Sequence, residues 1–186
     1  TSERLVTKVT RRRQTRNSGA ADQRFTVADG FHNPSGVAVH DGFVYISDQS
    51  AIWRTPYVPG ATKAGKLERL TKEPDLRNSG MHGTRNFAIA PNGTMFVEMG
   101  SHDNVSEYQP GAKIFQIKDG KLVDYASGIR NPAGIAFYAG TSDLFVAFNE
   151  RDGLCANLPP DYLPYVKPGA FSGYPWSHTG QRPPPD

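Results

Sequence analysis

Asn33-Pro-Ser-Gly-Val-Ala-Val39, with Phe43-Val-Tyr-Ile-Ser-Asp48 after it, returns twice along the chain. Thr84-Arg-Asn-Phe-Ala-Ile-Ala90 precedes Thr94-Met-Phe-Val-Glu-Met99, and Asn131-Pro-Ala-Gly-Ile-Ala-Phe137 precedes Asp143-Leu-Phe-Val-Ala-Phe148. Ala38, Ala88 and Ala136 hold equivalent places, as do Tyr45, Phe96 and Phe145. Each unit reads as two short strands joined by a tight turn, because His40-Asp-Gly42, Pro91-Asn-Gly93 and Ala139-Gly-Thr-Ser142 supply the Gly, Asn or Asp that hairpins need. Ala51-Ile-Trp-Arg-Thr55 and Lys66-Leu-Glu-Arg-Leu70 complete the first unit with two more strands. Lys113-Ile-Phe-Gln-Ile117 and Lys121-Leu-Val-Asp-Tyr125 do the same for the second, while the third stops at two. Four antiparallel strands recurring at roughly 50 residues are how a propeller blade looks in sequence. The expected fold is therefore all-β, a partial β-propeller of about two and a half four-stranded antiparallel blades. A sandwich or barrel of generic hairpins is the weaker account, since the three matches agree in both chemistry and spacing.

Composition agrees with this. The 186 residues hold 19 Gly and 15 Pro, both costly inside helices, and no long amphipathic helix is visible. The formal charge of +3 is unevenly placed. Seven Lys and Arg against Glu3 and Asp22 give residues 1–24 a charge of +5, which leaves −2 for the rest. That segment also carries the polar run Gln14 to Gln23, so it is expected to be a basic, solvated extension, with residues 25–186 forming the propeller domain and its Pro/Gly-rich C-terminal segment. It lacks the interleaved aromatics of a single-strand binder, which argues against a nucleic-acid partner. The single cysteine, Cys155, excludes an intrachain disulfide framework. No run approaches the ~20 apolar residues of a membrane span, so a soluble chain is expected.

Three loops carry candidate chemistry. Asn78-Ser-Gly-Met-His82-Gly-Thr-Arg85 brings a histidine and an arginine to the entry of the second blade, where strands approach the central axis. His82 suits general-base work because an imidazole titrates near neutral pH; the competing reading is a structural or simply exposed histidine. At the equivalent place in the third unit, Arg130 and Asn131 offer a fork-like cation and an amide for a planar, carboxylate-bearing ligand, although Asn131-Pro132 also resembles the turn Asn33-Pro34. Asn149-Glu150-Arg151-Asp152, followed by Asn157 and Asp161, collects oxygens of the kind calcium uses, without the spacing of an EF-hand. A solvated acidic loop with an internal Arg–carboxylate pair is the equal alternative.

Taken in order, His82-Gly-Thr-Arg85, Gly128-Ile-Arg-Asn-Pro132, Asn149-Glu-Arg-Asp152, Leu158-Pro-Pro-Asp-Tyr162 and Gly173-Tyr-Pro-Trp176 resemble the glucose/sorbosone dehydrogenase family over residues 25–186. The resemblance implies a six-bladed propeller that uses pyrroloquinoline quinone (PQQ) and calcium to oxidise sugars, in the periplasm or outside the cell. It implies His82 as the base, with Arg85 beside it, Arg130 and Asn131 as cofactor contacts, and Glu150, Asp152 and Asn157 near calcium. Two departures stand out. Cys155-Ala156-Asn157 replaces an acidic run, and the aspartate that assists the base in related enzymes is replaced by Ser101 or His102, with Asp103 close by.

The far-side blades of such a ring have no counterpart here, and two open sheet edges call for cover. Self-association into a homo-oligomer is the expected remedy. The function expected is PQQ- and calcium-dependent sugar oxidation. A calcium-dependent lactone or ester hydrolase and a non-catalytic propeller fragment are the alternatives, and the lack of a Gly-x-Ser-x-Gly elbow excludes the serine-hydrolase form.

Overall fold

The computed structural model describes residues 8–15, 19–72, 76, 80–107, 110–156 and 158–178. Among the described residues thirteen strands form four antiparallel sheets, and there is no helix. No helix is therefore long and apolar enough to cross a membrane among them. Blade 1 is β3 (Gly36–His40), β4 (Phe43–Ser47), β5 (Ile52–Pro56) and β6 (Glu68–Arg69) in that order. Blade 2 is β7 (Phe87–Ile89), β8 (Met95–Met99), β9 (Lys113–Lys118) and β10 (Lys121–Ser127). The third sheet has β11 (Asn131–Phe137), β12 (Leu144–Asn149) and a two-residue β13 (Tyr165–Val166). The chain is a partial β-propeller of two full blades and most of a third.

The repeated residues occupy repeated places. Ala38 faces Tyr45, Ala88 faces Phe96 and Ala136 faces Phe145, each as a direct cross-strand pair between the first two strands of its blade. Two of the turns read from sequence are two-residue loops with both positions at positive φ: Asp41 and Gly42 (44° and 75°) and Asp119 and Gly120 (52° and 74°). That geometry matches strand twist and explains the Asp-Gly choice.

Blade 2 is buried on both faces, which is why β8 reads as nearly unbroken apolar sequence. Val97 and Met99 face blade 1 with Tyr45, Ile52, Leu76, Phe87 and Phe115. Phe96 faces the third sheet with Ile114, Leu144, Val146 and Phe148. Each such buried side chain contributes about 1.5–3 kcal/mol.

The expectation of an unstructured extension fails at residues 8–13. β1 (Lys8–Arg13) pairs with β2 (Gln23–Asp29) as a hairpin, while residues 1–7 and 16–18 lie outside the described set. Val9 and Val27 give the hairpin an apolar side that lines a groove with Val37 and Val44 of blade 1. It is anchored by Arg11 donating to the Ala61 carbonyl at 2.7 Å and by Ala64 N–H donating to Val27 O at 2.8 Å. Long-range hydrogen bonds thus tie down a segment whose local composition reads as solvated.

Candidate active site

His82 is placed by a segment fixed along both sides. Met81 N–H donates to His102 O at 2.8 Å, and Gly80 lies so close to His102 that an added Cβ would sit 2.3 Å from its backbone. Thr84 Oγ1 donates to Pro132 O at 3.3 Å and Asn86 Nδ2 to Ala133 O at 2.9 Å, which ties the segment to the first strand of the third sheet. Gly100 allows the approach of His82 to Asn131, since a Cβ there would lie 2.5 Å from His82 Cβ and 3.3 Å from Asn131 Oδ1.

The imidazole Nδ1 lies 2.9 Å from the Ser101 carbonyl oxygen and 3.0 Å from Ser101 Oγ. A carbonyl only accepts, so Nδ1 carries the proton and Nε2 keeps its lone pair. Burial holds the His82 pKa below its ordinary value, and the nearby Arg130 charge adds to this against the opposing bond to Ser101.

Arg130 is buried and forms the joint between three segments. Nε donates to Asn104 O at 3.1 Å, Nη1 to Glu150 O at 2.6 Å, and Nη2 to Asn104 Oδ1 at 2.8 Å and Asp152 Oδ2 at 2.7 Å. A guanidinium has five N–H groups, and these partners take four of them among the described residues. Asn131 Nδ2 reaches Asn149 Oδ1 at 3.4 Å, and Asn149 Nδ2 donates to Asp161 Oδ2 at 2.7 Å.

These groups meet in one cleft of about 650 Å³, lined by His82, Arg130, Asn131, Glu150, Asp152 and Asp161 among others. Five of the seven residues singled out in the sequence come together there. Arg85 does not. It is completely buried and donates to Leu76 O at 2.8 Å, His82 O at 3.0 Å and Thr84 O, so it holds the His82 segment from beneath instead of touching a substrate. Asn157 lies outside the described residues.

The metal set is also redistributed. Asp152 is 80% exposed and turned onto Arg130. Glu150 is buried, its pKa is raised by that burial, and Oε1 has no hydrogen-bond partner among the described residues. Among those residues no three His, Cys, Asp or Glu side chains gather in a way that could hold a metal ion. The described residues therefore form no side-chain calcium cage, and among them a calcium ion would draw mainly on Glu150 and on amide and carbonyl oxygens. Arg130 and Asn131 are the cleft residues that could face a carboxylate-bearing cofactor. Sequence reasoning missed Asn104, whose Oδ1 accepts from both Arg130 and the Asp152 N–H; nothing in its local pattern marks it.

No family model matches the chain. An uncharacterised protein of Borreliella burgdorferi is 26% identical over 152 residues, 75% of this chain and 40% of that protein. Among solved structures, the calcium structure of the Trichoderma reesei carbohydrate-active enzyme of family AA12 aligns at TM-score 0.77 and 16% identity, over 94% of this chain and 53% of that one. The holo pyranose dehydrogenase PQQ domain of Coprinopsis cinerea aligns at 0.70 and 18% over 89% and 48%. A putative oxidoreductase (glucose dehydrogenase) of Thermus thermophilus aligns at 0.62 and 20% over 87% and 57%. The chain spans about half the length of these structures. Its fold is that of the glucose/sorbosone dehydrogenase-like propellers, carried on a partial chain.

Proposed function

We propose that the chain carries the base-side half of a PQQ-dependent sugar dehydrogenase site. The observation that carries this reading is a neutral, half-buried imidazole with a fixed tautomer lining the same cleft as Arg130 and Asn131. When bound, the quinone supplies a two-electron acceptor. His82 Nε2 would take the proton of the sugar hydroxyl while the hydride of the same carbon would go to that acceptor, so that an aldose would leave as its lactone. The lowered pKa keeps His82 unprotonated at neutral pH, the form a base requires. Arg130 and Asn131, which line the cleft, would hold the acidic and carbonyl groups of the cofactor. Calcium belongs to the proposal as a ligand to be titrated, and no step is derived through it. Self-association completes the open ring, and the setting is periplasmic or extracellular.

Dye reduction with a panel of aldoses, with and without added PQQ and calcium, tests the reading. Quinone-dependent turnover that falls by about 10²–10⁴-fold in His82→Gln supports it. Quinone-independent lactone hydrolysis, or no turnover under any condition, overturns it.

A further inference from the structure

A second cleft of about 270 Å³ is lined by Lys113, Asp124, Ser127, Phe171, Tyr174 and Trp176 among others. It lies at the same end of the blades as His82. Lys113 is paired with Met99 at the end of β8 and with Ser127 at the end of β10, and Met99 leads directly into Gly100 and Ser101.

Its aromatic side is held in place. Ser127 N–H donates to Ala170 O at 2.9 Å, Ser172 N–H to Ser127 O at 3.0 Å and Tyr174 N–H to Gly128 O at 3.2 Å. Gly128, at φ 71°, lets the Phe171 ring lie against the backbone, since a Cβ would sit 2.7 Å from it. On this anchored segment Phe171 and Trp176 remain 58% and 59% exposed. Two large aromatic surfaces fixed at one cleft and left in water are a ligand-facing arrangement more than a packing one. In the same lining Lys113 Nζ and Asp124 Oδ2 pair at 2.7 Å, and the Asp124 side chain is largely exposed.

The buried floor residue, Tyr174, connects the two clefts. Its hydroxyl accepts from Ser106 N–H at 2.7 Å and donates to Asp103 O at 3.0 Å. The same carbonyl accepts from Ser101 Oγ at 2.7 Å, and Ser101 Oγ accepts from His82 Nδ1.

Resting on the reading above, we infer that this cleft is a subsite for a further pyranose unit, so that the substrate class is an oligosaccharide with its reacting end at His82. A pyranose has a C–H face that stacks on Phe171 and Trp176 and equatorial hydroxyls that donate to Asp124 and accept from Lys113. A wholly apolar partner would strip water from the Lys113–Asp124 pair without replacing it. A polyanion would meet the Asp124 carboxylate.

Calorimetric titration of the chain, without quinone or calcium, with neutral β-1,4- and α-1,4-linked tetrasaccharides tests the subsite separately from turnover. Saturable binding of at least one, about tenfold weaker in Trp176→Ala and in Phe171→Ala, is the expected result. Both aromatics are exposed, so the variants should keep the parent melting temperature, checked by circular dichroism. No saturable binding up to about 10 mM, or binding unchanged in both variants, overturns the subsite even where monosaccharides are oxidised. Binding that behaves as expected without any sugar oxidation keeps the subsite and removes the dehydrogenase reading.

Discussion

His82 Nδ1 and the Ser101 carbonyl oxygen are 2.9 Å apart, and this contact sets the tautomer of the candidate base with a neutral acceptor. Ser101 or His102 stands where the family resemblance implies an aspartate, and it is Ser101 that meets the imidazole. A carboxylate at that distance would stabilise the imidazolium; a serine with its own carbonyl does so far less.

Replacing Ser101 by Asp should therefore raise the His82 pKa by about one unit, read from the pH dependence of its imidazole NMR signals. Any quinone-dependent turnover should move its acidic limb upward by the same amount. An unchanged or lowered pKa would show that Ser101 does not act on the imidazole. Ser101→Ala keeps the backbone acceptor and should cost only about 1 kcal/mol of stability.

Arg130 should prove structural as well as ligand-directed. Four of its N–H groups hold Asn104, Glu150 and Asp152, so Arg130→Ala leaves buried acceptors without donors and should cost about 3 kcal/mol in urea melts. Asp152 is mostly in water, and Asp152→Ala should cost under about 1 kcal/mol. It also releases an N–H of Arg130, so quinone binding should tighten in that variant. Equal losses for the two substitutions would count against this division of labour.

The blades were legible in sequence because their determinants are local: an alternating strand, a two-residue turn and a repeat of both. The Ala38–Tyr45, Ala88–Phe96 and Ala136–Phe145 pairs are the physical form of that repeat. The convergence of His82, Arg130 and Asn131 was legible for the same reason, since equivalent loops of neighbouring blades open on the same end. Arg85 misled because proximity in sequence to His82 does not say which way a side chain points; its guanidinium turns inward to backbone carbonyls. Asn104 and Tyr174 act over 20 to 70 residues of chain, and no local pattern encodes such contacts. The basic hairpin was missed because its anchors are contacts between segments distant in the chain, Arg11 to the Ala61 carbonyl and Ala64 N–H to the Val27 carbonyl.

Glu98 gives the fold a pH dependence. It is fully buried on β8, neither carboxylate oxygen has a hydrogen bond of good geometry among the described residues, and burial raises its pKa to about 7 against the weaker opposing pull of Asn86 and Arg85. The folded state then holds the proton more tightly than the unfolded chain. Stability from this group is complete below about pH 4.5 and is lost as pH rises to about 7, a change of roughly 3 kcal/mol. Glu150, raised in the same direction, adds to the slope. Glu98→Gln should flatten urea-derived stability across that window and raise it at pH 8. A variant as pH-dependent as the parent would assign the slope elsewhere.

The last prediction concerns the open flanks. Tyr45 and Phe96 are buried because blades 2 and 3 cover them, whereas the equivalent Phe145 faces outward with Tyr138 and Tyr165, whose rings lie 6.5 and 5.7 Å from its own. At the opposite flank Val37 and Val39 are 60% and 59% exposed, since the β1–β2 hairpin covers blade 1 only in part. The two surfaces differ, one aromatic and one aliphatic, and each has the chemistry of a blade-to-blade face. A second copy docked front to back would seat aromatic rings on valines at two equivalent interfaces, closing a ring of about five blades with two-fold symmetry. Sedimentation velocity at micromolar concentration should show a dimer, and Val39→Lys or Tyr165→Lys should shift it to monomer without lowering the melting temperature of the blades, because both positions point away from the two cores. A monomer in the parent chain at that concentration would mean that the flanks are tolerated in water, and that any complete site is built with a different partner.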